Sequence, residues 1–117
     1  MSIAMREKAI SRLLTNDYAE RILVATYFYP RSVQEISDKY DIPIAACYRK
    51  MHDLEDAGLI EVKKIVTTSK GKNMKLYKSQ LKSACIMFQE GHFRIRLEFN
   101  HDEDVNNRWI KIPIPTR

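Results

Sequence analysis

The chain has 117 residues, enough to enclose one hydrophobic core and too few for two. An apolar share of 44% is ordinary for a globular protein, and no apolar run approaches the roughly 20 residues that span a bilayer, so a membrane-spanning helix is excluded. The net charge of +5 and a pI near 9.3 point toward a polyanionic partner. The stretch Met1–Leu13 is too charged to be a signal peptide. Cys47 and Cys85 lie far apart in apolar patterns, which reads as two reduced, buried thiols rather than a disulfide framework. The expectation is a soluble cytoplasmic protein.

Residues 3–14 place Ile3, Ile10, Leu13 and Leu14 on one side of a short helix. That is more apolar surface than a lone helix exposes. It packs either on the chain's own core or on a second copy across a dimer seam. Thr15, Asn16 and Asp17 interrupt the pattern, and any of them can cap the next helix, Tyr18 to Tyr29, which carries Ile22, Leu23, Thr26 and Tyr27 at core spacing and stops at Pro30. Ser32-Val33-Gln34-Glu35 reads as a capping box, with the Ser oxygen accepting from an orphan amide and Glu35 reaching back. The helix it opens turns Val33, Ile36 and Tyr40 inward and ends before Asp41-Ile42-Pro43.

Pro43 suits the first turn of a further helix, where a missing amide hydrogen costs nothing. Ile44, Cys47, Met51 and Leu54 then follow at spacings of three and four and share one face, and Gly58 supplies the left-handed residue that ends the helix. Leu59 to Val66 is β-rich, Tyr77 and its neighbours form the returning strand, and the polar stretch Thr67–Asn73 is the tip of a hairpin. From Val62 to Lys82 there are seven lysines and no acidic residue. Beyond Leu81 the period becomes two. Ala84–Phe88 and the alternating Phe93, Ile95, Leu97 and Phe99 form a second hairpin about a turn at Glu90-Gly91, with Arg94 and Arg96 on its charged face. Residues 100–117 form a tail, with one extended segment docked by Trp109.

A capped helix, a tight turn, a second helix and a basic β-ribbon together make a device for reading a nucleic-acid duplex, with one helix in the groove and the ribbon along the phosphates. The segments SVQEIS, DIP and IAACYRKMHDLEDAGLI, with the Lys-rich hairpin after them, resemble the winged helix-turn-helix domain of ArsR-like transcription regulators over residues 18–79. The ending Leu-Glu-Asp-Ala-Gly-Leu-Ile, the habitual exit from a reading helix into a wing, carries most of the likeness. The implied fold is α+β: a three-helix core with a β-wing over 16–82, an extra N-terminal helix over 1–15, a C-terminal β-hairpin over 83–99, and a tail. Metal-sensing members use a Cys-x-Cys cluster near this helix, whereas Cys47 stands alone here. Many members also dimerise through a C-terminal helix, whereas this chain ends in a β pattern. Homodimer contact is therefore expected through Ile3, Ile10, Leu13 and Leu14, with the apolar face of the second hairpin as another candidate seam.

With Cys47, Met51 and Leu54 turned inward, a step of about 100° per residue puts Ala45, Tyr48, Arg49 and His52 on the opposite face, ready for a major groove. Arg49 suits a bidentate contact to guanine, Tyr48 a phosphate or a thymine methyl, and His52 a phosphate or a base edge. Ala45 permits close approach. Asp53, Glu55 and Asp56 would repel phosphate, so only the first half of this helix can lie deep. Lys70 and Lys72 with Thr68, Ser69 and Asn73 form the wing tip, and Lys63, Lys64 and Lys75 lie on its stems, where ammonium groups follow the backbone without reading sequence. The plainer alternatives are the solvated face of a core helix and an ordinary lysine-rich surface. Ser32 is explained by capping alone, while Gln34 is a lesser candidate for phosphate.

Cys47 and His52 sit about 140° apart on a helix and cannot share a metal, and Cys85, His92 and His101 have no zinc-site spacing. No phosphate loop, nucleophile motif or metalloprotease pair is present, so neither an enzyme nor a metal or other cofactor is expected. The expected function is sequence-specific recognition of double-stranded DNA by a homodimeric transcription regulator. A winged-helix protein–protein interaction module is the alternative. Binding of RNA or single strands is disfavoured because only Tyr77 interleaves the lysines, and stacking needs aromatic platforms.

Overall fold

The structure is a computed structural model that describes residues 3–100 and 109–112, with side chains from Arg6 onward. Among the described residues four helices come first: α1 (Ile3–Leu14), α2 (Asp17–Tyr27), α3 (Val33–Lys39) and α4 (Ile44–Asp56). Five strands follow among the same residues: β1 (Ile60–Thr67), β2 (Asn73–Ser79), β3 (Leu81–Gln89), β4 (His92–Phe99) and β5 (Ile110–Lys111). They form two antiparallel sheets, β1-β2 and β3-β4-β5, so the class is α+β.

Helix boundaries follow local chemistry. Of the three capping candidates before α2, Asn16 does the work: its Oδ1 accepts the Ala19 amide at 3.0 Å. Ser32 caps α3 by accepting the Glu35 amide at 3.1 Å. The reciprocal half of the expected capping box does not form, because Arg31 Nη1 holds the Glu35 carboxylate at 3.0 Å. Arg31 also donates from Nε to the Ala25 carbonyl at 2.7 Å, so the pair is fastened to the end of α2. The turn between α3 and α4 passes through Asp41 at φ 55° and is closed by Ser37 Oγ donating to the Ile42 carbonyl at 2.6 Å.

Pro43 proves to be the residue before α4 rather than part of its first turn. Cys47, Met51 and Leu54 are buried as expected, but Ile44 is 41% exposed. The whole opening turn, Pro43–Ala45, is exposed, so an apolar residue there has no wall to meet although its spacing fits the stripe. At the other end the Gly58 amide donates to the Glu55 carbonyl and the Leu59 amide to the Leu54 carbonyl, both at 2.9 Å, with Gly58 at φ +79°. This is a Schellman ending, and Leu59 and Leu54 are both fully buried beside it.

The β1-β2 hairpin carries an irregularity between Val62 and Lys64 that leaves Lys63 as the extra residue. Arg31 pairs with Tyr77 through both backbone bonds, 2.9 and 2.8 Å, which ties the segment before α3 to the free side of β2. Between β2 and β3 only Gln80 intervenes, and its amide donates to the Leu59 carbonyl at 2.8 Å. The β3-β4 hairpin turns through Glu90 (φ 52°) and Gly91 (φ 78°), a two-residue loop with both residues left-handed, matching the twist of its strands.

The second hairpin is part of the main core. Ile95, Leu97 and Phe99 are buried with Ile10, Ile22, Ile36, Cys47 and Leu54 in one cluster. Four expectations change as a result. Ile10, at 0% exposure, is spent inside the protomer and cannot serve a dimer seam, while Leu13 and Leu14 pack half-buried against the same core. The side chain of Ile3 lies outside the described residues. The inner face of β4 is likewise taken, except at its start, where Phe93 is 40% exposed and meets Phe88 at 4.9 Å between ring centroids. Cys85 is exposed rather than buried, because it sits across from Arg96 on the outer face of the sheet. Part of the expected tail is the strand β5, docked through Ile110 and the buried Ile112, whereas Trp109 is 38% exposed and lies against the Arg96 guanidinium at 5.2 Å.

Candidate nucleic-acid interface

Packing fixes the orientation of α4. Its inner stripe is held by α3, where Cys47 Sγ lies 3.8 Å from the Val33 carbonyl, and by the core beneath Met51 and Leu54. Burial pushes the Cys47 thiol pKa up, which keeps it protonated and inert. Ala45, Tyr48, Arg49 and His52 all lie on the exposed side, with Tyr48 58% exposed. No side chain caps the first turn, so its free amides face solvent, a setting that stabilises an anion.

The members of that face differ in what already holds them. Among the described residues, no carboxylate lies within ion-pairing distance of Arg49. His52 Nε2 sits 3.2 Å from Asp56 Oδ2, so an outside ligand must compete for it. Lys50 is half-buried, 3.6 Å from Asp53. The charge therefore changes sign along α4: an open guanidinium near the middle, then Asp53, Glu55 and Asp56, all exposed, at the far end. Between this acidic half and α1 runs an open groove of about 680 Å³, lined by Arg6, Ala9, Leu13, Lys50 and Asp53 among others.

The β1-β2 hairpin is joined to α4 through Gly58 and Leu59. Tyr77 stands at its base, its hydroxyl pKa raised by burial and then by the nearby Glu55 and Tyr48. Pairing of Lys64 with Leu76 and of Ile65 with Lys75 divides the cations between faces. Lys64, Val66, Met74 and Leu76 share one side, and Ile65, Thr67, Asn73 and Lys75 share the other. Lys63 stands at the irregularity. The tip is tied by the Thr68 amide donating to the Lys72 carbonyl at 2.7 Å and by Gly71 at φ 78°. Lys63, Lys64, Ser69, Lys70, Lys72, Asn73 and Lys75 are all exposed, and Thr68 is half-buried.

Three polar residues beside this surface are already engaged within the chain. Lys78 donates to the Tyr27 carbonyl at 3.0 Å and stays against that ring. Gln34 donates to Asp38 at 3.1 Å, and Ser32, 5% exposed, is a cap. The sequence reading also missed an exposed apolar set at the end of α2: Val24 at 68%, Phe28 at 75% and Tyr29 at 68%. Helical spacing for Tyr29 was the misleading signal, since α2 stops at Tyr27. Among the described residues no group of His, Cys, Asp or Glu is arranged to hold a metal, and no helix is long and apolar enough to cross a membrane. Comparison with protein-family models gives no match, and no curated protein matches the chain.

Proposed function

We propose that this protein is a sequence-specific, double-stranded DNA-binding transcription regulator of the winged helix-turn-helix, ArsR-like kind, working as a homodimer and not as an enzyme. The helices α2, α3 and α4 make the three-helix core, α4 enters the major groove, and the β1-β2 ribbon lies along flanking phosphates. The observation that carries this reading is the exposed side of α4, where Arg49 is free of carboxylate partners among the described residues, standing beside a ribbon with cations and no acid from Val62 to Lys82. The groove is read by Arg49, Tyr48 and His52, with Ala45 letting the backbone approach. The phosphates are met by Lys63, Lys64, Lys70, Lys72 and Lys75, with Thr68, Ser69 and Asn73 adding polar contacts.

The division of labour is testable by titrating preferred and scrambled duplexes. Arg49→Ala should lose about 1–3 kcal/mol of discrimination at one base pair. Lys70→Ala with Lys72→Ala should weaken all duplexes alike and flatten the salt dependence. Equal weak binding of every duplex by the unaltered protein would remove the basis for the reading.

A second reading, a winged-helix module that docks another protein, is favoured by Val24, Phe28 and Tyr29, which form more exposed apolar surface than one helix end needs. A stable complex with another protein that survives loss of the ribbon lysines would select it.

A further inference from the structure

Among the described residues, the sheet order β3-β4-β5 leaves one side of β3 (Leu81–Gln89) without a partner strand, with only the Leu81 peptide groups taken, by the Ser79 hydroxyl. The direction of its peptide groups follows from the far side of β4. The Phe93 carbonyl accepts the Ile112 amide at 2.8 Å and so faces β5, not β3. Its cross-strand neighbour Phe88 is therefore in a non-hydrogen-bonded pair, and the N–H and C=O of Phe88 point away from β4. By the two-residue period, Ile86 and Ala84 present theirs the same way. Such an edge is a template for another strand, and the usual protections are missing: there is no proline, and the only irregularity is at its start, between Leu81 and Ser83. Ile86 and Phe88 on this edge are 41% and 63% exposed.

We propose that a second copy of this chain fills this edge, the two β3 strands pairing antiparallel with Ile86 on the two-fold axis. In that register Ala84 faces Phe88 of the partner subunit, small against large. Beyond the last regular pair, Ser83 with Gln89 of the partner subunit, Lys82 at the irregularity and Glu90 of the partner subunit in its turn bring opposite charges to each end of the seam. Ala84, Ile86 and Phe88 present outward peptide groups across this seam, and the apolar side of one strand continues into the apolar side of the other, with Phe93 supporting Phe88 from beneath. Sliding by two residues one way sets Lys82 against Phe88, and the other way sets Ala84 against Glu90. A slide by one residue opposes outward peptide groups to inward ones. Only the Ile86-centred pairing matches charge and size together. The contact is isologous, as a two-fold dimer requires, and joins two three-stranded sheets into one of six. It names the seam of the homodimer proposed above, but it stands on sheet geometry and needs no DNA.

Light scattering on the full chain in the absence of DNA tests the seam. The expected mass is twice 13.8 kDa. Ile86→Lys should halve it with no change in the far-UV circular dichroism, since this side chain is partly exposed. Met87→Cys tests the register, because Met87 faces Cys85 of the partner subunit in a non-hydrogen-bonded pair close enough to bond. Oxidised Met87→Cys should run as a covalent dimer on a non-reducing gel, and the unaltered protein should not. A monomeric unaltered protein, or a dimer that survives Ile86→Lys, overturns the proposal. Covalent dimers of the unaltered protein through Cys85 overturn the Ile86-centred register. A dimer that dissociates with Ile86→Lys yet binds no duplex supports the seam while removing the DNA reading, so the two fail separately.

Discussion

Among the described residues, Glu7 alone buries a side-chain oxygen without a hydrogen-bond partner. The residue is 2% exposed, and the orphaned oxygen is Oε2. Burial raises its carboxyl pKa above 4.5, and the Arg6 guanidinium offsets only part of that shift. A raised carboxyl pKa means that the folded chain holds its proton more tightly than the unfolded chain. Stability is therefore greatest below the unfolded value and falls as pH rises through the folded one. Glu7→Gln should raise the melting temperature at neutral pH, and the difference should disappear near pH 4, as followed by thermal melts across that range. An equal gain at both pH values would show that charge burial is not the cause. Residue by residue, the stripe Cys47–Met51–Leu54 was legible because it repeats within one helix. Exposure of Ile44 and Cys85 was not, since it depends on which other element lies across from each.

The exit from α4 is the local structure on which the interface depends. Gly58 at φ +79° allows both Schellman bonds, and a Cβ there would also stand 3.4 Å from Arg6 Nη2. Gly58→Ala should cost about 1 kcal/mol or more in a urea titration, because an L side chain is strained at that φ. An unchanged midpoint would mean that the turn relaxes elsewhere. Leu54→Ala, which removes a fully buried side chain, should cost about 2–5 kcal/mol by the same measurement. Caps, turns and hairpins were readable because each is written within a few residues: Ser32, Gly58 and Glu90-Gly91 all act where expected. The tether of Lys78 to Tyr27 joins residues 51 apart, and β5 is only two residues long, so neither leaves a local signal.

Across the whole molecule, charge and shape are segregated. The helices and the inner face of β3-β4-β5 share one core. The cationic ribbon is a sheet of its own, joined to the end of α4, to Arg31 before α3 and, through Gln80, to β3. The α+β class was legible from the change of period after the helices, and the order α1 to β4 from the caps and turns between them. The use of the second hairpin was not, because alternation shows that a face is buried without showing against what. If about six lysines and arginines of a dimer neutralise phosphates, the log–log salt dependence of duplex binding should have a slope near −5. Sequence-specific duplex recognition is tested most directly by selection from a random duplex pool at two salt concentrations. An enriched two-fold-symmetric site is expected, with half-sites about one DNA turn apart and affinity falling steeply with salt. A pool that stays random while every duplex binds equally weakly at both concentrations would contradict it.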